Sequence, residues 1–278
     1  MKKKFPVAII GAGSVGSALA LALRGEKYPL RIVLSKNGKS ARTLGQRVCA
    51  PHAKLSSTHH FSVEGIIFIA VPDDEIKNVV HILSRWNEDF SRSIIFHTSG
   101  ALTSKILSPL ERRGATVGSF HPLQTFPKSN RTSGLFKDIW IGIEGDKKAV
   151  AAARRITHDF AARSFVLSSQ QKVLYHIAAV FSSNYFVALL SIVEELGNRI
   201  HVPRRKIISI FEPLIRQSLM NVKKYSAASA LTGPIARGDI HTLRRHRAEL
   251  KKKGLNDISQ MYSALAKETS KVASRKGT

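Results

Sequence analysis

A glycine-rich turn near the amino terminus constrains the fold of this chain more than any other feature. The stretch VAIIGAGSVGSALALAL begins with an apolar run and continues, after three glycines, as a helical pattern. Glycines at this spacing allow a tight turn, close approach of the backbone to a pyrophosphate and close packing of helix on strand. The pattern predicts a βαβ unit that binds a dinucleotide, and a turn needed for packing alone is the alternative. The predicted cofactor-binding residues of the turn are Gly11, Ala12, Gly13, Ser14, Val15 and Gly16.

Short apolar runs alternate with helical patterns over the first 168 residues. Such alternation is typical of a parallel sheet covered by helices on both faces. The rest of the chain has helical patterns only. We expect an α/β fold, with a doubly wound, mostly parallel Rossmann sheet in residues 1–168 and an all-helical domain in residues 169–278. The apolar runs lie at residues 5–10, 30–35, 65–71, 93–98, 115–120, 138–144 and 164–168, and the first two helices at about 170–199 and 203–224.

The end of the second predicted strand indicates which dinucleotide binds. A site that prefers NAD commonly has Asp or Glu there, because the carboxylate accepts a hydrogen bond from the ribose 2′-hydroxyl. This chain has Ser35, followed by Lys36, Lys39 and Arg42. A 2′-phosphate would accept charge-assisted hydrogen bonds from these cations, whereas a carboxylate would repel it. We predict NADP(H) as the cofactor; the alternative is that the cations only reflect a general basic excess.

The stretch FIAVPDDEI follows the next predicted strand. Loops at this position of such folds lie along the cofactor, so Ala70, Val71 and Pro72 are predicted to contact it. We expect Asp73 or Asp74 to cap the helix that begins there.

The formal net charge of +25 is the unusual bulk property of the chain. Such a surface attracts phosphates, nucleic acids and anionic membranes non-specifically. The densest basic run, RRHRAELKKK at residues 244–253, lacks the interleaved aromatic residues of single-strand binders. We therefore expect no specific nucleic-acid partner. Cys49 is the only cysteine, which excludes an intramolecular disulfide and a cysteine zinc cluster and favours a reducing cytoplasm.

The longest hydrophobic stretch, residues 173–193, is the one segment that raises the question of a membrane. A spanning helix needs about 20 largely uninterrupted apolar residues. This stretch contains His176, Ser182, Ser183, Asn184 and Ser191. It is therefore predicted to be a buried core helix, and no membrane association is expected.

Two motifs supply candidate catalytic residues at the carboxyl ends of predicted strands, where open α/β sheets bind ligands. They are FHTSGAL at residues 96–102 and GSFHPLQTF at residues 118–126. Ser99 and His121 are predicted to approach each other across neighbouring strand ends. A histidine there titrates near neutral pH and can pass a proton to a carbonyl oxygen as a hydride reaches the carbon. A histidine bonded only to backbone is the alternative for His121, and core packing is favoured for His97.

A polar group on the long predicted helix supplies further candidates. At about 100° per residue, Ser183 returns close to the direction of His176 and Asn184 lies to one side. These three residues are predicted to form a polar notch, whereas Tyr175 is expected to point to another face. Because buried polar groups need partners, His176 and Asn184 would meet either protein groups or a substrate and a nicotinamide amide.

Six motifs together resemble a bacterial family that joins a Rossmann-like NADP-binding domain to a helical C-terminal domain of unknown function. The motifs are GAGSVG, AVPDDEI, HTSGAL, FHPLQTF, YHIAAVFSSNY and LTGPIARGD. The wider group has C-terminal domains similar to that of 6-phosphogluconate dehydrogenase. The resemblance implies an NADP-dependent oxidoreductase with a helical domain that binds substrate and forms a homodimer.

More distant similarities connect the chain to two named enzyme families. HTSGAL and GSFHPLQTF are similar to the serine and His-Pro motifs of prephenate dehydrogenases, which implies roles for Ser99 and His121. The lysine that follows the serine in that family is replaced by Gly100, Ala101 and Leu102. AAVFSSNYF is similar to the substrate-site helix of pyrroline-5-carboxylate reductases, without their Ser-Gly-Pro-Ala-Tyr pattern. Related hydroxyacid dehydrogenases use a lysine on the long helix; His176 has a comparable place here, with Lys172 one turn earlier.

Taken together, these features predict an oxidoreductase that transfers a hydride to or from a small polar carbonyl, imine or hydroxy compound, anionic ones included. Its predicted catalytic residues are His121, Ser99, His176 and Asn184, without a metal. The alternative is a protein that senses NADP(H) and regulates a partner without turnover.

Overall fold

The computed structural model describes residues 4–56, 64–126 and 133–275. By compactness the chain divides into two units, residues 1–183 and residues 184–278. The expected domain boundary at residues 168 and 169 lies 15 residues before this division, which falls within a helical segment.

An eight-stranded sheet forms the centre of the first unit, in the order β3-β2-β1-β4-β5-β6-β7-β8. Neighbouring strands are parallel except β6 and β7, which are antiparallel. The predicted mostly parallel Rossmann sheet is thereby confirmed. The strands are β1 (Val7–Ile10), β2 (Leu30–Ser35), β3 (His52–Lys54), β4 (Gly65–Ile69), β5 (Ser93–His97), β6 (Thr116–Pro122), β7 (Trp140–Gly145) and β8 (Arg163–Val166).

Seven of these strands coincide with the apolar runs of the sequence, and β3 does not. It is a three-residue strand at the edge of the sheet, paired with β2 alone, and two of its three side chains are exposed. An edge strand of this kind needs no apolar run, so the pattern of the sequence does not reveal it.

Alternate residues of the central strands serve two separate hydrophobic cores, one on each face of the sheet. In β1, Val7 and Ile9 belong to the core beneath α1, α2 and α5. Ala8 and Ile10 belong to the core beneath α3 and α4. Burial on both faces explains why the strands are continuous apolar runs. The helices are α1 (Ser14–Gly25), α2 (Gly38–Val48), α3 (Asp73–Ser84), α4 (Ser108–Glu111) and α5 (Lys147–Asp159).

The long predicted helix is interrupted. It consists of α6 (Lys172–Val180), a π-helical turn (Phe181–Tyr185) and α7 (Phe186–Arg199). A π turn contains an additional residue and changes the direction of the side chains that follow it. The regular spacing of 100° assumed for the polar notch therefore does not hold between His176 and Asn184. The remaining helices, all in the second unit, are α8 (Arg204–Lys224), α9 (Ala227–Ala230), α10 (Ile240–Lys252) and α11 (Asn256–Ser274).

The expectation that residues 173–193 form a buried core helix is wrong for the single chain. Leu174 and Phe181 in the first unit and Val187 in the second are each more than 60% exposed. Among the described residues, one helical stretch, Ser169–Arg199, is long and apolar enough to cross a membrane by length and composition, which is weak evidence by itself. Apolarity alone cannot distinguish a buried helix from one that a partner covers.

Candidate functional site

The three glycines of the first turn have different surroundings. A Cβ at Gly11, where φ is +113°, would lie 2.1 Å from the carbonyl oxygen of Ala70, and one at Gly16 would lie 2.0 Å from that of Gly11. These two glycines are required by packing. A Cβ at Gly13 would meet nothing within 4 Å. Gly13 is also the N-cap of α1, with no side chain capping the helix and no acidic residue in its first turn. Open space before a helix N-terminus suits a phosphate.

A cleft of about 450 Å³ begins at this turn and extends between the ends of β1, β2 and β4 and the helix α3. Eight of the predicted cofactor residues line it: Gly11, Ala12, Gly13, Ser35, Lys36, Ala70, Val71 and Pro72. Four do not line it: Ser14, Val15 and Gly16 form the first turn of α1, and Arg42 is exposed on α2. The sequence reasoning missed six further lining residues: Ile10, Leu55, Glu75, Asn78, Val79 and Ile82.

The start of α3 differs from the prediction. Pro72 occupies the N-cap position and no side chain caps the helix, so neither Asp73 nor Asp74 is the cap. Both aspartates lie in the first turn, where a negative charge is favoured by the helix dipole. The carboxylate of Asp73 accepts a hydrogen bond of 2.6 Å from the hydroxyl of Ser99. Asp73 therefore connects α3 to the loop after β5.

His121 lies near the end of β6 and contacts two residues of α6. Its Nδ1 is 2.7 Å from the hydroxyl oxygen of Tyr175. Its ring lies edge-on to the rings of Tyr175 and His176, with centroid separations of 5.5 and 5.8 Å. The expectation that Tyr175 points away from the site is corrected, because Tyr175 and His176 both contact His121. The two side chains leave the helix about 100° apart, and the imidazole of His121 lies between them. Burial raises the pKa of Tyr175 to about 12, so its hydroxyl keeps its proton at neutral pH.

His121 is a neutral imidazole at neutral pH. Burial, followed by electrostatic interaction with Lys172 and then with His176, lowers its pKa to about 4. The same first two causes lower the pKa of the fully buried His97 to about 3. His97 Nδ1 accepts a hydrogen bond from the backbone N–H of Ser99, which fits the predicted packing role of His97.

Ser99 is buried, and its hydroxyl bonds both to its own loop and to α3. Besides donating to Asp73, this oxygen accepts hydrogen bonds from the backbone N–H groups of Ala101 and Leu102, at 3.2 and 3.0 Å. The serine motif thus shapes the loop between β5 and the following turn. The structure brings this loop against His121 at the residue that follows Ser99.

The contact between loop and histidines occurs at Gly100. A Cβ at this position would lie 2.5 Å from His176 Nδ1 and 2.9 Å from both Cε1 and Nε2 of His121. Ring nitrogens of both histidines therefore face the same glycine. His176 Nδ1 is buried and has no hydrogen-bond partner among the described residues. Two strand ends and α6 thus place His121 and His176 together, whereas Asn184 belongs to the other unit.

Lys172 is a residue whose role the sequence reasoning missed. Only 1% of its surface is exposed. Its ammonium donates hydrogen bonds to the backbone carbonyl oxygen of Ser99, at 3.0 Å, and to the hydroxyl of Ser119, at 2.7 Å. Burial lowers the pKa of Lys172 to about 8, against the opposing charges of Glu144 and Asp73. The signal in the sequence was a lysine on an otherwise apolar helical face, one turn before His176.

Glu144 is the second buried charge near the site. Its carboxylate accepts hydrogen bonds from the backbone and hydroxyl of Ser104, at 2.8 and 2.9 Å, and from the hydroxyl of Ser169, at 2.9 Å. Because Glu144 lies on β7, these bonds attach two segments to the sheet. Ser104 belongs to the turn after the Ser99 loop, and Ser169 lies just before α6. Among the described residues, no group of three or more His, Cys, Asp or Glu is placed to hold a metal ion.

Two sequence families match this chain. The model of a Rossmann-like domain matches residues 1–122, and that of a domain of unknown function, DUF2520, matches residues 139–269. None of the curated proteins compared with the chain matches it.

Solved structures share the fold over nearly the whole chain. A candidate NADP oxidoreductase from Bacteroides fragilis is 24% identical with a TM-score of 0.79, covering 96% of this chain and 98% of its own. A protein from Thermotoga maritima is 24% identical with a TM-score of 0.73, covering 98% and 100%. A reductive aminase from Aspergillus terreus, in complex with NADPH and ethyl-5-oxohexanoate, is 12% identical with a TM-score of 0.64, covering 97% and 98%.

The predicted distant similarities are confirmed at the level of the fold. A prephenate dehydrogenase from Aquifex aeolicus and a pyrroline-5-carboxylate reductase from Coxiella burnetii each have a TM-score of 0.56. The predicted family resemblance is confirmed as well: the models of a Rossmann-like domain and of DUF2520 match successive parts of this chain.

Proposed function

We propose that this protein is an NADP(H)-dependent oxidoreductase that transfers a hydride to or from a small polar carbonyl, imine or hydroxy compound. The observation that carries the proposal is the pairing of His121 with Tyr175 beside Gly100, at the carboxyl edge of a sheet whose first turn leaves open space at Gly13. Ligands bind at this edge in open α/β sheets. A candidate NADP oxidoreductase and an NADPH-bound reductive aminase among the similar structures support the choice of cofactor.

The bound dinucleotide would supply the hydride, and residues of this chain would handle the charge that develops on the substrate. Because His121 is neutral, it acts as a hydrogen-bond donor rather than as an imidazolium acid. When the Tyr175 hydroxyl donates to Nδ1, the ring hydrogen lies on Nε2. Nε2 then donates to the substrate oxygen or nitrogen that gains electron density during reduction. In the reverse direction the ring hydrogen lies on Nδ1 and is donated to the Tyr175 oxygen, so that the unprotonated Nε2 accepts the hydroxyl proton.

Lys172 supplies a buried positive charge near His121 and Tyr175. Its ammonium favours negative charge on a substrate oxygen bound to His121, and it fixes the Ser99 carbonyl that precedes Gly100. Ser99 acts through the shape of its loop. His176 and Asn184 remain proposed contacts of the substrate.

Cofactor binding and turnover are the two tests of this function. We expect NADPH to raise the thermal unfolding temperature more than NADH does. We also expect loss of NADPH absorbance with at least one member of a panel of keto acids, ketones and imines. Stabilisation without oxidation by any substrate would favour the NADP(H)-sensing alternative, and no stabilisation by either dinucleotide would contradict both.

Replacing His121 tests the assignment of the proton-handling residue. With a substrate found in the panel, His121→Ala should lower turnover about 10²- to 10⁴-fold because the developing charge loses its donor. Stabilisation by NADPH should be unchanged. His81→Ala, which removes an exposed histidine of α3, is the control. Equal turnover in His121→Ala and the unaltered protein would remove His121 from the mechanism.

We also propose that the protein is a cytoplasmic homodimer, without a specific nucleic-acid or membrane partner. Among the described residues of the second unit, the buried hydrophobic residues are Ile207, Leu255 and Ala266. Large apolar side chains such as Ile210, Leu214 and Leu219 on α8 are more than half exposed. A helical unit of this length normally buries more of its apolar surface than this. A second copy presents the same apolar surface, as a symmetric interface requires.

A further inference from the structure

The part of the cleft away from the glycine turn has apolar walls and a polar rim. Glu75, Asn78, Val79 and Ile82 repeat along one face of α3, at the spacing of successive helical turns. Leu55 also lines this part of the cleft, and Ser35 and Lys36 contribute from the end of β2. An apolar slot with a few convergent polar groups suits a base and its ribose. This part of the cleft is therefore where the adenosine half of a dinucleotide fits.

The rim contains a carboxylate that is already oriented. Glu75 Oε1 accepts a hydrogen bond from the ammonium of Lys36 at 3.0 Å, and Oε2 accepts one from the side-chain amide of Asn78 at 3.2 Å. These two bonds, that from Lys36 first, lower the pKa of Glu75, so it is ionised at neutral pH. Lys36 itself is largely exposed, with 79% of its side chain accessible. It can therefore move away from Glu75 without breaking the packing of the cleft.

This arrangement bears on the choice between two dinucleotides. The end of β2 has Ser35 where a carboxylate would select NAD(H), but Glu75 brings a carboxylate to the same cleft from α3. A ribose 2′-hydroxyl can donate a hydrogen bond to it. A 2′-phosphate has no proton to donate, and the carboxylate of Glu75 repels it. The phosphate also has to compete with Glu75 for the ammonium of Lys36. At the ribose 2′ position, Lys36 therefore favours binding of NADP(H), whereas Glu75 favours binding of NAD(H).

We propose that Glu75 is a specificity-determining residue that limits the preference for NADP(H) and permits binding of NAD(H). This inference rests on the proposed dinucleotide-dependent function and adds to it a residue that neither the glycine motif nor the end of β2 contains.

The test compares dissociation constants for NADPH and NADH, measured by fluorescence titration of the full chain. Glu75→Gln retains the size of the side chain and its contact with Asn78 but removes the charge. We expect tighter binding of NADPH and weaker binding of NADH, so that the ratio of Kd for NADH to Kd for NADPH rises about 10-fold. The rise should be larger at low ionic strength. Lys36→Met should lower the same ratio.

Asp74→Asn provides a matched control. It removes the same charge from the first turn of α3, one residue away, at an exposed position outside the lining of the cleft. The ratio should be unchanged in Asp74→Asn. An equal shift in both variants, or no shift in Glu75→Gln, would overturn the inference while leaving the proposed function in place. Binding of neither dinucleotide by the unaltered protein would overturn the proposed function as well. Thermal unfolding of each variant confirms that it is folded.

Discussion

At the scale of single residues, Gly100 determines what the site can contain. Its missing side chain leaves the space that the imidazoles of His121 and His176 occupy. Prephenate dehydrogenases, which this motif resembles, have a lysine after the serine. Here a side chain at position 100 would collide with both rings. A cation reaches Ser99 from α6 instead, where Lys172 donates a hydrogen bond to the Ser99 carbonyl.

A single methyl group at position 100 tests this explanation. Gly100→Ala should lower the free energy of unfolding by about 1–3 kcal/mol, because the rings must move and the His121–Tyr175 bond restrains them. Turnover should fall with it. Urea unfolding provides the measurement. Gly134→Ala is the control, since a Cβ at Gly134 would meet nothing within 4 Å. Equal stability of Gly100→Ala and the unaltered protein would show that the rings have room to move.

At the scale of secondary-structure elements, α6 supplies the groups that set the chemistry of His121. Lys172 joins the first turn of the helix to the ends of β5 and β6 through Ser99 and Ser119. One turn later, Tyr175 and His176 flank the imidazole. Other charged or titratable groups around them are His97 on β5, Asp73 on α3 and Glu144 on β7.

The Lys172 ammonium is expected to hold the pKa of His121 down. In Lys172→Met the pKa of His121 should rise from about 4 toward 6.5 without reaching it, because burial, the larger cause, remains. NMR titration of the imidazole measures this change. Lys148→Met, at an exposed position of α5, should leave the pKa unchanged. A pKa that stays near 4 in Lys172→Met would mean that burial alone sets it.

The same shift predicts how stability depends on pH. The folded-state pKa of His121 lies below the 6.5 of an ordinary histidine, so the unfolded chain binds protons that the folded chain does not. The stability due to neutral His121 is complete above about pH 6.5 and is lost as the pH falls toward 4. In Lys172→Met this loss should be smaller, as urea unfolding at pH 7 and pH 5 can show.

Much of the fold follows from the sequence, whereas the site follows only in part. Apolar runs and the glycine turn predict the sheet because burial and backbone geometry act locally along the chain. His121 and the Ser99 loop were predicted from their place at strand ends. Tyr175 and Lys172 were not assigned, because their roles depend on the distance and angle at which α6 meets the sheet. Glu75 was missed because its importance comes from a cation that is 39 residues away in the sequence.

At the scale of the whole molecule, the exposed apolar surface of the second unit predicts a dimer. Light scattering after size exclusion should give twice the 30.6 kDa of the chain. Leu214→Glu should shift the protein toward monomer because it places a charge in a desolvated interface. Lys148→Gln changes the net charge equally, outside the helical unit, and should remain dimeric. A monomer that partitions onto lipid vesicles would instead indicate that a membrane covers this surface.

The two family regions meet inside one compact unit, and this has a consequence for how the protein can be recombined. Gly100 and His121 lie in the Rossmann-like region, whereas Lys172, Tyr175 and His176 lie in the DUF2520 region. A chimera joined between residues 122 and 139 would pair one parent's histidine with the other parent's lysine and tyrosine. Hybrids that keep both cofactor binding and turnover should therefore be those that carry residues 97–121 and 172–176 from the same parent. At the site, the Rossmann-like region and the DUF2520 region therefore have to be exchanged together, although each matches a separate family model.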